Sequence, residues 1–242
     1  MKQKIQKLIS ALLRWLDDLL FPENVLCLCC DRALGEEAED GICPACANAL
    51  QRLNHEQEKR EKMVSRMLPE GISYMHAAYP YEGPVRQLVH RLKYDGIRSA
   101  HILLAKPMVF LPSSEEEIIV PVPTDPARLR RRGYNQAELL ARYIGRELGM
   151  EVVCALYRRE KRRPQTGLNA KERQKNLLGC MKATDAVNGR RVLLIDDVYT
   201  TGSTAQEAAR ALKEAGALSV GMLAASASKD ELLNEKDPFA VL

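Results

Sequence analysis

R-V-L-L-I-D-D-V-Y-T-T-G-S-T-A, residues Arg191 to Ala205, is the stretch whose reading decides the fold. Val192 to Ile195 form an apolar, β-branched run suited to a buried parallel strand. Two adjacent carboxylates, Asp196 and Asp197, are expected to end that strand. Thr200, Thr201, Gly202, Ser203 and Thr204 then lead into an alanine-rich helical segment, Ala205 to Ala215. A strand, a tight turn of small residues and a helix start together make an anion site. The first N–H groups of the helix have no intrahelical acceptor, and the macrodipole adds partial positive charge there. Hydroxyl side chains add donors without bulk, and Gly202 lets the backbone come close or take a positive φ.

The aspartates narrow the guest. Beside a phosphate they would repel it unless they held partners of their own, which a sugar diol or a magnesium ion supplies. A sugar phosphate meets both needs, with its diol over Asp196 and Asp197 and its phosphate among Thr200–Thr204. No Gly-Lys-Ser/Thr follows the strand, so this is not a Walker loop. An ordinary strand–turn–helix connection with an acidic strand end is the plain alternative. The segment I-D-D-V-Y-T-T-G-S-T resembles the phosphoribosyl-pyrophosphate (PRPP) loop of type I phosphoribosyltransferases, which implies a PRPP contact surface including Tyr199.

Outward from this stretch the chain alternates. A strand from Glu117 closes in Pro121-Val122-Pro123, then come a loop with four arginines and a helix from Asn135 to Leu148. Val152-Val153-Cys154 reads as a strand, Leu168 to Leu178 as helix, and Val220 to Ala224 as a last strand. Upstream, Ser73 to Tyr79 is strand-like, Pro84 opens a helix through Leu92, and a second helix covers Ser99 to Phe110. Alternation of this kind predicts an α/β fold, a doubly wound parallel sheet with its ligand at the carboxyl ends of the strands. The expected division is a module over residues 1–70, with a charged linker helix from Ala49 to Leu68, and a larger domain over 71–242.

Charge is uneven. The net charge is +4, yet residues 126–137 alone carry +4 and residues 158–175 carry +6, leaving −6 for the rest. Two concentrated basic segments point to an anionic ligand, with solvated basic faces as the alternative. No apolar run reaches the roughly 20 residues of a membrane span. Met1 to Leu20 reads as an amphipathic helix with Ile5, Leu8, Leu12, Leu16 and Leu19 on one face. It packs on its own protein, binds a partner, or makes peripheral membrane contact. Arg14, Asp17 and Asp18 interrupt it, so it is not a secretory signal, and a cytoplasmic setting is expected.

Five of the seven cysteines fall between Cys27 and Cys46. Cys27-Leu28-Cys29-Cys30 and Cys43-Pro44-Ala45-Cys46 are two C-x2-C knuckles twelve residues apart. Four thiolates close a tetrahedral shell, the standard structural zinc site, so Cys27, Cys30, Cys43 and Cys46 are the expected ligands. Cys29 could replace Cys30 only by tightening the knuckle to C-x-C. Disulfides are the alternative in an oxidising compartment.

The wider pattern resembles the ComF-type proteins, associated with natural competence. The likeness is carried by L-L-F-P before the knuckles, Tyr81-Glu82-Gly83, Leu92-Lys93-Tyr94-Asp95-Gly96, Pro121-Val122-Pro123, Arg132-Gly133-Tyr134-Asn135-Gln136, Pro164-Gln165-Thr166, Arg173-x-x-Asn176 and the D-D-V-Y-T-T-G loop. It implies a type I phosphoribosyltransferase-like domain behind a zinc module. The resemblance places pyrophosphate on Pro123 to Arg132, with Arg128, Arg130, Arg131 and Arg132 as its charges. It makes Arg158 to Thr166 a basic loop that closes over PRPP and Mg²⁺, where Arg163, Gln165 and Thr166 would act. Catalytic roles would fall to Asp196, Asp197 and Arg163. Two functions stay open: a PRPP-binding competence factor handling incoming single-stranded DNA with other competence proteins, or a phosphoribosyltransferase acting on a base or amine. Tyr74, Tyr79 and Tyr81 could stack on a base or simply pack.

Overall fold

A computed structural model describes residues 26–63, 68–111, 115–158 and 179–228. The expected N-terminal helix, the 168–178 helix, Arg163, Gln165, Thr166 and the tail beyond Ser228 lie outside the described residues. The chain divides into two compact units, Met1–Ala49 and Leu50–Leu242. Helix α1, Pro44–Met63, runs across that division. The boundary was expected near residue 70, but the second unit already includes Asn54, whose Nδ2 donates to Ala78 O at 2.7 Å. Among the described residues no helix is long and apolar enough to cross a membrane.

In the first unit two tight turns bring the knuckles together. Leu26 bridges Ala33, Glu39 bridges Ile42, and Leu28 N donates to Gly41 O at 2.9 Å. Asp31 and Asp40 sit at φ 58° and 52°, a left-handed conformation that aspartate tolerates better than most residues.

The second unit is built on a five-stranded sheet in the order β1-β7-β6-β2-β3, every pair parallel. The strands are β1 Tyr74–Pro80, β2 Ile118–Pro121, β3 Glu151–Val152, β6 Arg191–Tyr199 and β7 Ser219–Ala227. A separate antiparallel pair, β4 Leu156–Arg158 and β5 Met181–Ala183, was not foreseen. After β1 come α2 Gly83–His90, a π-turn over Arg91–Asp95, α3 Ala100–Ala105 and a 3₁₀ turn Lys106–Phe110. Pro107, with no N–H to donate, sits where the expected single helix over 99–110 changes to the tighter turn.

From the centre the chain winds both ways. Helix α5, Gln136–Leu148, carries it from β2 outward to β3, whereas α6, Ser203–Glu214, carries it from β6 the other way to β7. Right-handed crossovers put these helices on opposite faces. Val192, Leu194, Ile118 and Val120 pack with Ala205, Ala208 and Leu212 of α6. Gly145 of α5 lies so close to the other face that a Cβ there would come within 2.5 Å of Val152 Cγ2. β2 and β6 are therefore neighbours whose connections diverge, and a crevice opens between their carboxyl ends.

Two expectations are corrected. The carboxylates do not end β6, which continues through Asp196 and Asp197 to Tyr199 because β7 runs alongside and pairs Tyr199 with Ala227. Backbone pairing with a long buried neighbour outweighs the low strand preference of aspartate. The four-arginine segment is not a loop but a short helix, α4, Pro126–Arg132. Asp125 caps it, its Oδ1 accepting from Ala127 N at 3.0 Å and Arg128 N at 3.3 Å, with Pro126 at the first helical position.

Candidate functional site

The crevice holds a cavity of about 590 Å³, within the range for a small-molecule ligand. Its walls come from the end of β6, the loops after β1, β2 and β6, α4, the starts of α5 and α6, the π-turn and the last residue of β4. Of the residues singled out in the sequence, Asp196, Asp197, Thr200, Thr204, Arg128 and Arg132 meet here. Thr201, Gly202 and Ser203 form the turn between them and do not line the cavity. Tyr199 packs partly buried against the core behind. Of the three tyrosines considered for stacking, Tyr81 lines the cavity, while Tyr79 is buried and its hydroxyl donates to Leu103 O at 3.3 Å.

The carboxylates are held differently. Asp197 Oδ1 lies 2.9 Å from Lys93 Nζ, both side chains mostly covered. Asp196 Oδ1 accepts the Asp197 N–H at 2.8 Å. Burial, and then the neighbouring Asp197 charge, push the Asp196 carboxyl up to about 7, against the pull of Lys93, that N–H and Arg158. The protein thus holds one carboxyl near neutrality at the mouth of the sheet, the kind of perturbation that marks working sites.

Beside it the turn leads into a helix start with unpaired N–H groups. Gly202 precedes α6 at φ 71°, and no side chain caps that helix start. Only glycine fits, because a Cβ there would lie 2.7 Å from Tyr199 Oη and 3.2 Å from Pro69 Cγ. Thr201 Oγ1 and Ser203 Oγ are 2.9 Å apart and brace the turn.

The facing wall is basic. Lys93, Arg128, Arg132 and Arg158 all line the cavity, against three carboxylates, Asp125, Asp196 and Asp197. The Arg132 guanidinium sits 5.8 Å from the centroid of the Tyr94 ring, a cation–π distance. Its burial lowers its proton affinity, and Asp197 opposes that effect. Arg158 Nε donates to Pro123 O at 3.0 Å. The unforeseen β4–β5 pair puts Arg158 there: Met181 N donates to buried Glu207 Oε1 at 2.8 Å, and Arg210 Nη2 donates to Met181 O at 3.0 Å. Asn135 caps α5 through Ala137 N at 3.1 Å, and its Nδ2 donates to Val122 O at 2.9 Å. Lys93, Tyr94, Thr124 and Gln136 had no assigned role. Lys93, Tyr94 and Gln136 belong to segments that carried the family likeness, which was the only signal for them.

In the first unit Cys27, Cys30, Cys43 and Cys46 place their sulfurs within 4.8 Å of one another. The Cys30 and Cys43 sulfurs are 3.8 Å apart, and tetrahedral coordination with bonds of about 2.3 Å calls for about 3.8 Å. Burial would push the Cys27 thiol up, but the N–H groups of Cys43, Cys29 and Cys30 and the Cys30 thiol bring it down to about 6. Burial and the nearby Cys27 charge push Cys29 up to about 12, so it stays a thiol. The four-cysteine cluster can hold a metal ion, and Cys29 is not part of it.

Residues 129–241 match the model of the phosphoribosyl transferase domain, which fixes the class of the larger unit. Competence protein ComFC of Streptococcus pneumoniae is 30% identical over 212 residues, covering 84% of this chain and 88% of that protein. The DNA utilization protein YhgH of Salmonella typhi is 29% identical, covering 81% of this chain and 87% of that protein. Competence protein F of Haemophilus influenzae is 41% identical over 104 residues, 41% of this chain, and the match spans 45% of that protein's length. The chain belongs to the ComF family of competence-related proteins.

Proposed function

We propose that the cavity binds PRPP with magnesium and that the chain serves in handling incoming single-stranded DNA on the cytoplasmic side. The 5-phosphate would sit at the uncapped start of α6, reached by Thr200 and Thr204. The ribose diol would take Asp196 and Asp197. The pyrophosphate would meet Arg132 and Arg128, with Arg163, Gln165 and Thr166 closing from beyond the described residues. Magnesium would offset the charge of the diphosphate between these groups. The observation that carries this reading is the pairing, in one open cavity, of adjacent carboxylates with four cationic side chains and with Thr200 and Thr204, which flank an uncapped helix start. Either half alone would be commonplace.

The role in DNA use rests on what the relatives are named for: competence and DNA utilization. We assign zinc to Cys27, Cys30, Cys43 and Cys46; a shell of four thiolates leaves no open position, so the metal supports the fold. A second reading, transfer of ribose 5-phosphate to a base or amine, is favoured by the transferase domain match. Titration calorimetry of PRPP with Mg²⁺ tests the site. Wild type should bind and the double variant D196N/D197N should not, with its melting transition retained. Equal affinity in the two proteins sinks the assignment. Pyrophosphate release on adding bases would favour transfer. Salt-dependent single-stranded DNA binding that is unaffected by PRPP would favour a separate DNA surface.

A further inference from the structure

A run of guanidinium groups and aromatic rings leaves the mouth of the cavity and continues onto α3 and α5. It starts at Tyr94, which lines the cavity yet is 62% exposed, with the Arg132 guanidinium 5.8 Å from its ring centroid. Gly133 follows, and a Cβ there would stand 3.8 Å from Arg98 Nη2. The Arg98 guanidinium lies 4.7 Å from the Tyr134 ring centroid, and Arg98 O accepts from His101 Nδ1 at 2.6 Å. His101 of α3 meets Tyr143 of α5 edge-on, with ring centroids 6.1 Å apart.

Packing accounts for only part of this run. Tyr134 is buried, its hydroxyl donating to Leu92 O at 2.6 Å, and Tyr143 is half-buried. Tyr94 and Arg98, by contrast, are exposed. Asp95, beside Tyr94, lies 3.5 Å from His90 Nδ1, and Arg146 next to Tyr143 is paired with Glu147 at 3.0 Å. Among the described residues neither Arg98 nor Arg132 makes an ion pair, so the free positive charge sits beside the exposed ring. An open tyrosine face flanked by cations suits an unpaired base, which stacks on the ring while its phosphates meet the guanidinium groups. A duplex hides its base faces, and an acidic peptide brings no base to stack. The metal module is the wrong sign for such a ligand: residues 26–49 hold five acidic residues and a single arginine.

We infer that the surface from Tyr94 and Arg132 through Arg98 to His101 and Tyr143 binds single-stranded DNA, with a base on Tyr94 and backbone phosphates on Arg98 and Arg132. The inference rests on the DNA half of the proposed function and places that role on the larger unit, outside the metal module. The test is fluorescence anisotropy on the full chain without PRPP, using a thymidine oligonucleotide and an abasic strand of the same length over a salt series. Y94A should bind the thymidine strand roughly tenfold more weakly and the abasic strand within about twofold of wild type, while Y94F binds both like wild type. R98Q should weaken both strands and lower the slope of log K against log salt by about 0.7. R190Q, which removes an exposed arginine at the opposite end of β6, should change either affinity less than about twofold. Y94A or R98Q that binds like wild type, or a loss in R190Q equal to that in R98Q, overturns the assignment of this surface. So does wild type that binds the abasic strand, or polyglutamate, as tightly as the thymidine strand. Wild type that binds no single-stranded DNA at low salt overturns the DNA role and the inference with it, and leaves the PRPP site to its own calorimetry.

Discussion

Replacing Asp196 with Asn should stabilise the ligand-free chain, increasingly so as pH rises. Burial and the Asp197 charge hold its carboxyl near 7 in the fold, against an ordinary value of 3.8. The unfolded chain releases that proton first, so ionisation favours unfolding. The penalty is absent below about pH 4, grows as pH climbs toward 7, and is constant above. At 1.36 kcal/mol per pH unit its ceiling is about 4 kcal/mol, of which about a third is already present at pH 5. Water in an open cavity and movement of Lys93 toward Asp196 should cut the ceiling to about 2 kcal/mol. Asn can still accept the Asp197 N–H, now made at 2.8 Å, so the strand end keeps its geometry. For a domain of this size that amounts to roughly 4–8 °C in Tm at pH 8, with about two-thirds of it already present at pH 5 because the smaller ceiling is reached at lower pH. Thermal unfolding of wild type and D196N at both pH values, without ligand, measures it. An advantage equal at both pH values, or a less stable D196N at pH 8, would refute the account of Asp196 as a carboxylate kept for its ligand at a cost to the fold.

The turn before α6 should be intolerant of any side chain. Gly202→Ala must hold φ near 71° and push aside the Tyr199 hydroxyl, so stability should drop by about 1–3 kcal/mol in chemical denaturation, and Y199F should restore part of it. A neutral G202A would mean that the turn is not held as described. In the first unit C27S should lose bound zinc on metal analysis, while C29S should keep about one zinc per chain. Loss of metal from C29S, with retention in C27S, would reverse the assignment of ligands.

The central strand, the small-residue turn, the helix after it and the four clustered cysteines were legible because each is a local pattern. An apolar run, a row of small residues or a C-x2-C spacing needs nothing from elsewhere in the chain. The length of β6 was not, because whether Asp196 to Tyr199 stay extended depends on β7 lying beside them. The Asp-Pro at 125–126 was a helix-start signal in plain view, obscured by the arginines that follow it. The β4–β5 pair could not be read from strands of three residues each, since what holds it is Glu207 and Arg210 on a distant helix.

By itself the sequence determined that paired carboxylates and a small-residue turn would lie between a strand and a helix, and that four sulfurs would gather near the N-terminus. Only the tertiary structure decided the opposite wall. Lys93 reaches Asp197 from a π-turn, and Arg158 arrives on a strand paired with β5, which Glu207 and Arg210 hold in place. Such placements depend on pairings between residues far apart in the chain, and local spacing carries no record of those.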